Sequence, residues 1–134
     1  MGVRAEAYDW LEEALADLKH AREALRAGSF NWACFIAQQA AEKGFKAFMI
    51  GLLRKRPPHV YDLTVLYGEV EGLLELPKEV SQGLSELSAY YMLARYPNTG
   101  LRRPSLSIGR VQAERAVSIA EGVVKAVESK LKPA

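Results

Sequence analysis

The segment Ala33–Lys46, Ala-Cys-Phe-Ile-Ala-Gln-Gln-Ala-Ala-Glu-Lys-Gly-Phe-Lys, constrains the fold more than any other part of the chain. Its small residues and large aromatics fall on more than one side of a helix, so that helix must be buried on more than one side. Yet a polar stripe, Gln38, Gln39, Glu42, Lys43 and Lys46, runs through its middle. Gln38 and Glu42 are four residues apart, as are Gln39 and Lys43, and occupy adjoining rows of the helix. A carboxylate set between Ala41 and Phe45 is costly to desolvate unless it is paired. Such a helix suits the centre of a small bundle that also pairs with something else.

The rest of the chain fits that frame. Its 134 residues make one domain, 1–134, long enough to bury a core without metal or disulfides. Apolar residues at 49% and charged residues at 25% exclude a disordered chain. A single cysteine, Cys34, rules out an internal disulfide framework and implies a reducing, cytoplasmic setting. Met1–Glu6 has no apolar run before its first acid, so no signal peptide is expected. The greasiest stretch, Phe45–Leu53, is interrupted by Lys46 and Gly51 and is too short for a bilayer, so no membrane partner is expected.

Helical periodicity predicts an all-α, antiparallel up-and-down bundle of four long helices plus one short one. Tyr8, Leu11, Leu15, Leu18 and Leu25 mark a first helix over 5–27, stopped by Gly28, with Ser29 as N-cap of the next. So short a link makes the first two helices antiparallel. The second runs over 30–54, up to Pro57-Pro58. Asp62 caps a short third helix over 63–74, and Pro77 opens a fourth that ends near Arg95. Ser107 is placed as the cap of the last helix, read from Ala116, Ile119, Ala120, Val123, Val127 and Leu131.

Chemistry-bearing patterns are sparse. His20 and His59 are the only histidines, and with one cysteine they offer no zinc spacing. No glycine-rich phosphate loop is present, so neither metal nor cofactor is expected. Basic residues gather in two connecting regions, Arg54-Lys55-Arg56 and Arg95, Arg102, Arg103 and Arg110. Brought together they would form a phosphate-holding surface; apart, they are solubilising loop charge. Tyr90, Tyr91 and Tyr96 surround Arg95 in sequence, either as core residues or as rings that stack with the guanidinium. Arg95 is also the natural partner for Glu42, locking two helices in register or aiming its guanidinium at a groove.

At these residues the sequence resembles the HEPN family (higher eukaryotes and prokaryotes nucleotide-binding domain). The resemblance runs through Asp17-Leu18, Gly28–Phe35, the block Ala37–Ala47, Asp62-Leu63, Tyr90-Tyr91 and Arg95-Tyr96-Pro97. It implies an antiparallel bundle, homodimerisation, and partnership with a minimal nucleotidyltransferase in a toxin–antitoxin pair. Many HEPN proteins are metal-independent ribonucleases whose arginine is followed, some four to six residues on, by a histidine. Here no histidine follows Arg95. Arg54-Lys55-Arg56-Pro57-Pro58-His59 matches the bare motif, but its prolines keep the two ends off one helix face, and it reads as a chance match. Without the histidine, a tyrosine would have to serve as acid or base, and a phenol titrates near ~10. The resemblance therefore implies a nucleotide- or RNA-binding module, with Arg95, Tyr91, Tyr96, Arg102 and Arg103 holding phosphate and Gln38, Glu42 and Lys43 orienting them. The alternative is an atypical ribonuclease that uses Arg95.

Overall fold

The computed structural model describes residues 3–132, so the ends of the expected domain, 1–2 and 133–134, lie outside it. Within it the chain is all-α: α1 (Val3–Ala27), α2 (Phe30–Leu52), α3 (Leu63–Val70), α4 (Lys78–Leu93), α5 (Pro104–Ser107) and α6 (Arg110–Leu131). Four helices are long and two are short.

Local chemistry sets the ends. Gly28 takes φ +81, and the amides of Gly28 and Ser29 return to Leu25 and Ala24, closing α1 in a Schellman turn. Ser29 stands at the N-cap of α2 but makes no side-chain cap bond. Asp62 does cap α3, its carboxylate accepting the Thr64 amide at 3.0 Å. Hydrogen bonds from Thr64 hold that carboxyl below the usual aspartate range. Helix α3 stops at Val70, short of the expected 74, where Gly72 takes φ +93 and turns the chain.

One boundary was misplaced by the sequence pattern. Pro104 opens the extra turn α5, and Ser107 ends that turn instead of capping the last helix. The cap of α6 is Gly109, whose amide donates to Gln112 Oε1 at 3.0 Å.

Helix α2 packs at the centre of the bundle, against α1, α3, α4, α5 and α6. The cross-chain fastenings radiate from this packing: Lys43 lies 2.7 Å from Asp17 of α1, Arg22 of α1 pairs with Glu121 of α6, and Arg115 of α6 holds Glu86 of α4 at 2.9 Å. Phe45, Phe48 and Met49 of α2 are fully enclosed by their own chain, each such burial contributing about 1.5–3 kcal/mol. The large apolar groups of α2 left most exposed stand near its two ends, Trp32 at 48% and Leu52 at 46%.

Two glycines on α2 and α6 set helix approach differently. A Cβ at Gly44 would meet Val123 and Val124 side chains of α6 at 3.6 Å, ordinary contact. At Gly122 it would fall well inside contact distance of Val80 Cγ2 of α4, and valine has little rotamer freedom with which to yield. Gly44→Ala is therefore expected to hold or raise stability, gaining up to ~1 kcal/mol of helix propensity. Gly44→Leu and Gly122→Ala should each cost about 1–3 kcal/mol by overpacking. Urea midpoints check this order; a Gly122→Ala protein as stable as the parent would show that α4 and α6 can part freely.

Candidate functional site

The C-terminal end of α4 meets the N-terminal half of α2 through Asn31, whose Nδ2 donates to the Ala94 carbonyl at 3.1 Å. This contact brings rings from both helices around Arg95. The Arg95 guanidinium carbon lies 4.4 Å from the Phe35 ring centre, 4.5 Å from Tyr91 and 4.9 Å from Tyr96. Its Nε donates to the Tyr91 carbonyl at 2.7 Å, a cationic cap on the last turn of α4. Among the described residues no hydrogen bond or ion pair occupies its two terminal amino groups. The guanidinium is thus fixed by its stem and Nε, with its fork left open.

The rings extend outward. Tyr61 stacks on Tyr91 with centres 3.9 Å apart and planes 7° from parallel, and Trp32 sets its ring across Phe35 at 5.9 Å. Arg110 of α6 lies over Phe30 at 5.0 Å. Trp32, Tyr61 and Tyr96 are between 43% and 48% exposed, so the assembly is an open face rather than a pocket.

Gln38 supports that face from inside the bundle. It is fully buried, and its Nε2 donates to the Tyr61 carbonyl at 2.8 Å and to Glu42 at 3.3 Å while its Oε1 accepts from Gln39. A core amide thereby places the ring that stacks on Tyr91.

One expectation about this site is corrected. Glu42 does not pair with Arg95; its carboxylate holds Lys46 Nζ at 2.9 Å. The reason is distance along α2: Phe35, which Arg95 covers, is two turns from Glu42, about 10 Å. Of the two readings open for Tyr90, the structure takes the core one. This tyrosine follows the helix inward and is buried near Cys34, because adjacent residues on a helix point some 100° apart. Burial pushes the Cys34 thiol up to about 12, so it is no nucleophile.

Of the residues singled out from sequence, Arg95, Tyr91 and Tyr96 come together. Arg102 and Arg103 are exposed between α4 and α5, and no ion pair or hydrogen bond joins them to Arg95 among the described residues. Lys43 is engaged by Asp17. Sequence reasoning missed Phe35, Trp32 and Tyr61 as members of the face. The three-residue spacing of Trp32 and Phe35 was a usable signal for the first two. Tyr61 had none, since a loop and a buried glutamine place it.

Arg54 and His59 line a cavity of about 230 Å³ at the far end of α2, with the double proline between them. Among the described residues no group of histidine, cysteine and carboxylate side chains is disposed to hold a metal, and no helix is long and apolar enough to cross a membrane.

A profile for the HEPN domain matches residues 7–130. Among solved structures, a protein from Thermus thermophilus superposes with a TM-score of 0.81 at 33% identity, over 92% of this chain and 97% of that one. An archaeal HEPN homologue gives 0.75 at 25% identity, over 94% and 98% of the two chains. A HEPN domain protein from Thermotoga maritima gives 0.70 at 32% identity, over 94% and 99%. No curated protein matches the chain.

Proposed function

The chain belongs to the HEPN domain family, and we propose that it is a nucleotide- or RNA-binding module that works in the cytoplasm as a homodimer, partnered by a minimal nucleotidyltransferase in a toxin–antitoxin-like pair. The observation that carries the binding role is the Arg95 guanidinium, packed on three rings with its fork open. An arginine so held offers two parallel N–H donors to a phosphate, and the neighbouring Tyr61 and Tyr96 offer faces to bases. Arg102, Arg103 and Arg110 add to the positive field along the same connecting region. Binding is favoured over cleavage because no histidine follows Arg95 to move a proton at the ribose 2′-hydroxyl. Titration of single-stranded RNA and of mononucleotides at low and high salt tests this reading. Affinity should fall as salt rises; an affinity indifferent to salt would remove phosphate from the contact.

The dimer follows from the same face. Trp32 is a large apolar ring left outside the core, and a second copy seated on it would bring two Arg95 forks toward one groove while Tyr61 and Tyr96 stay open to bases. Trp32→Glu should shift the light-scattering mass at micromolar concentration from two chains to one while the circular dichroism stays helical. A parent protein already at the mass of one chain would count against the dimer.

A further inference from the structure

Helix α2 ends in an unusual way. Arg54 adopts φ +52, a left-handed backbone that is unfavourable for an L side chain and that glycine commonly fills at this position after a helix. The Lys55 amide returns to the Met49 carbonyl at 3.3 Å to close the turn. Glycine would make this turn with less strain, so the local fold gives no reason for an arginine. The side chain gives one: Arg54 lines the cavity of about 230 Å³ between the start of α1 and the loop after α2.

The walls of that cavity are chemically mixed. Trp10 and Ile50 present apolar surface, Pro57 and Pro58 form the loop side, and the charged lining beyond Arg54 includes Arg56, Lys46 and Glu6. Lys46 is held by Glu42, and Lys55, which also lines the cavity, pairs with Glu69. Neither Arg54 nor Arg56 has an ion-pair partner among the described residues. Two guanidinium groups without an ion-pair partner outnumber the one such carboxylate in the lining, Glu6, so the cavity carries a positive excess. The volume is below the ~300–1,000 Å³ of drug-sized sites, which limits the occupant to a small molecule.

We propose that this cavity is a binding site for a small phosphate monoester bearing one ring, with the phosphate between Arg54 and Arg56 and the ring against Trp10. The site shares no residue with the Arg95 face, and either can fail without the other. Arg54 is kept in its strained backbone conformation because its side chain is needed in the wall.

Phenyl phosphate, titrated at low ionic strength and followed by the indole N–H resonances of Trp10 and Trp32, tests the proposal. The Trp10 resonance should move saturably, and that shift should be lost in Arg54→Gly whether or not phenyl phosphate also moves Trp32 beside the Arg95 face. Arg54→Gly and Arg56→Gln should each weaken the binding by about tenfold or more, the loss of one charge-assisted contact. Arg54→Gly should also raise the melting temperature, by about 2–4 °C. Better melting with lost affinity is an outcome that mere structural damage does not produce. A Trp10 resonance unmoved at millimolar phenyl phosphate overturns the proposal, as does a Trp10 shift that persists unchanged in Arg54→Gly and Arg56→Gln. Phenol binding as tightly as phenyl phosphate would exclude the phosphate contact, and inorganic phosphate binding equally well would exclude the ring contact.

Discussion

Glu42→Ala should destabilise the protein by about 2–4 kcal/mol, the largest stability effect expected of any single charged residue here. The Glu42 and Lys46 side chains are only 16% and 11% exposed, so removing the carboxylate leaves a mostly buried ammonium without its ion-pair partner. Breaking one side of a buried pair costs about 3–5 kcal/mol, and the residual exposure lowers that figure somewhat. The Gln38 amide loses an acceptor as well. Double-mutant cycles separate the two candidate partners of Glu42. Glu42→Ala with Lys46→Ala should lose clearly less than the sum of the singles. Glu42→Ala with Arg95→Ala should come within about 0.5 kcal/mol of additive, as unpaired sites do. Strong coupling in the second cycle would mean that Arg95 reaches Glu42 after all.

Arg95→Ala should weaken binding of RNA or nucleotide by tenfold or more, equivalent to at least ~1.4 kcal/mol, and flatten its salt dependence. It should also cost the fold about 1–2 kcal/mol. Three ring contacts and the bond to the Tyr91 carbonyl are lost together, each worth a fraction of a kcal/mol at a half-exposed site. Arg95→Lys distinguishes the two roles. A lysine keeps the charge but has neither the planar stacking surface nor the fork, so much of the affinity should be lost while the net charge is unchanged. Unchanged affinity in a well-folded Arg95→Ala protein would take Arg95 out of the site.

The bundle was legible because its determinants are local and periodic. Apolar spacing, Gly28, the proline pair and Asp62 act within a few residues of where they stand, and the helix ends they imply lie within a few residues of those observed. The resemblance to the HEPN family rested on the same local runs, Ala37–Ala47 and Arg95-Tyr96-Pro97. By itself, then, the sequence determined the helix count to within one short turn, the burial of α2 and the family.

What it left open were choices among partners. Glu42 needed a cation, and Arg95 was the partner expected from sequence; the structure supplies Lys46, one helical turn along α2, while Arg95 covers Phe35 two turns away. Tyr90 and Tyr91 are chemically identical neighbours, yet one faces Cys34 in the core and the other Arg95 at the surface, a difference fixed only by how α4 is rotated against α2. Tyr61 reaches the site because a fully buried glutamine holds its carbonyl across 23 residues of chain. Partner choice depends on which helix faces meet, and periodicity states which face is buried without stating against what. That decision belongs to the tertiary packing alone.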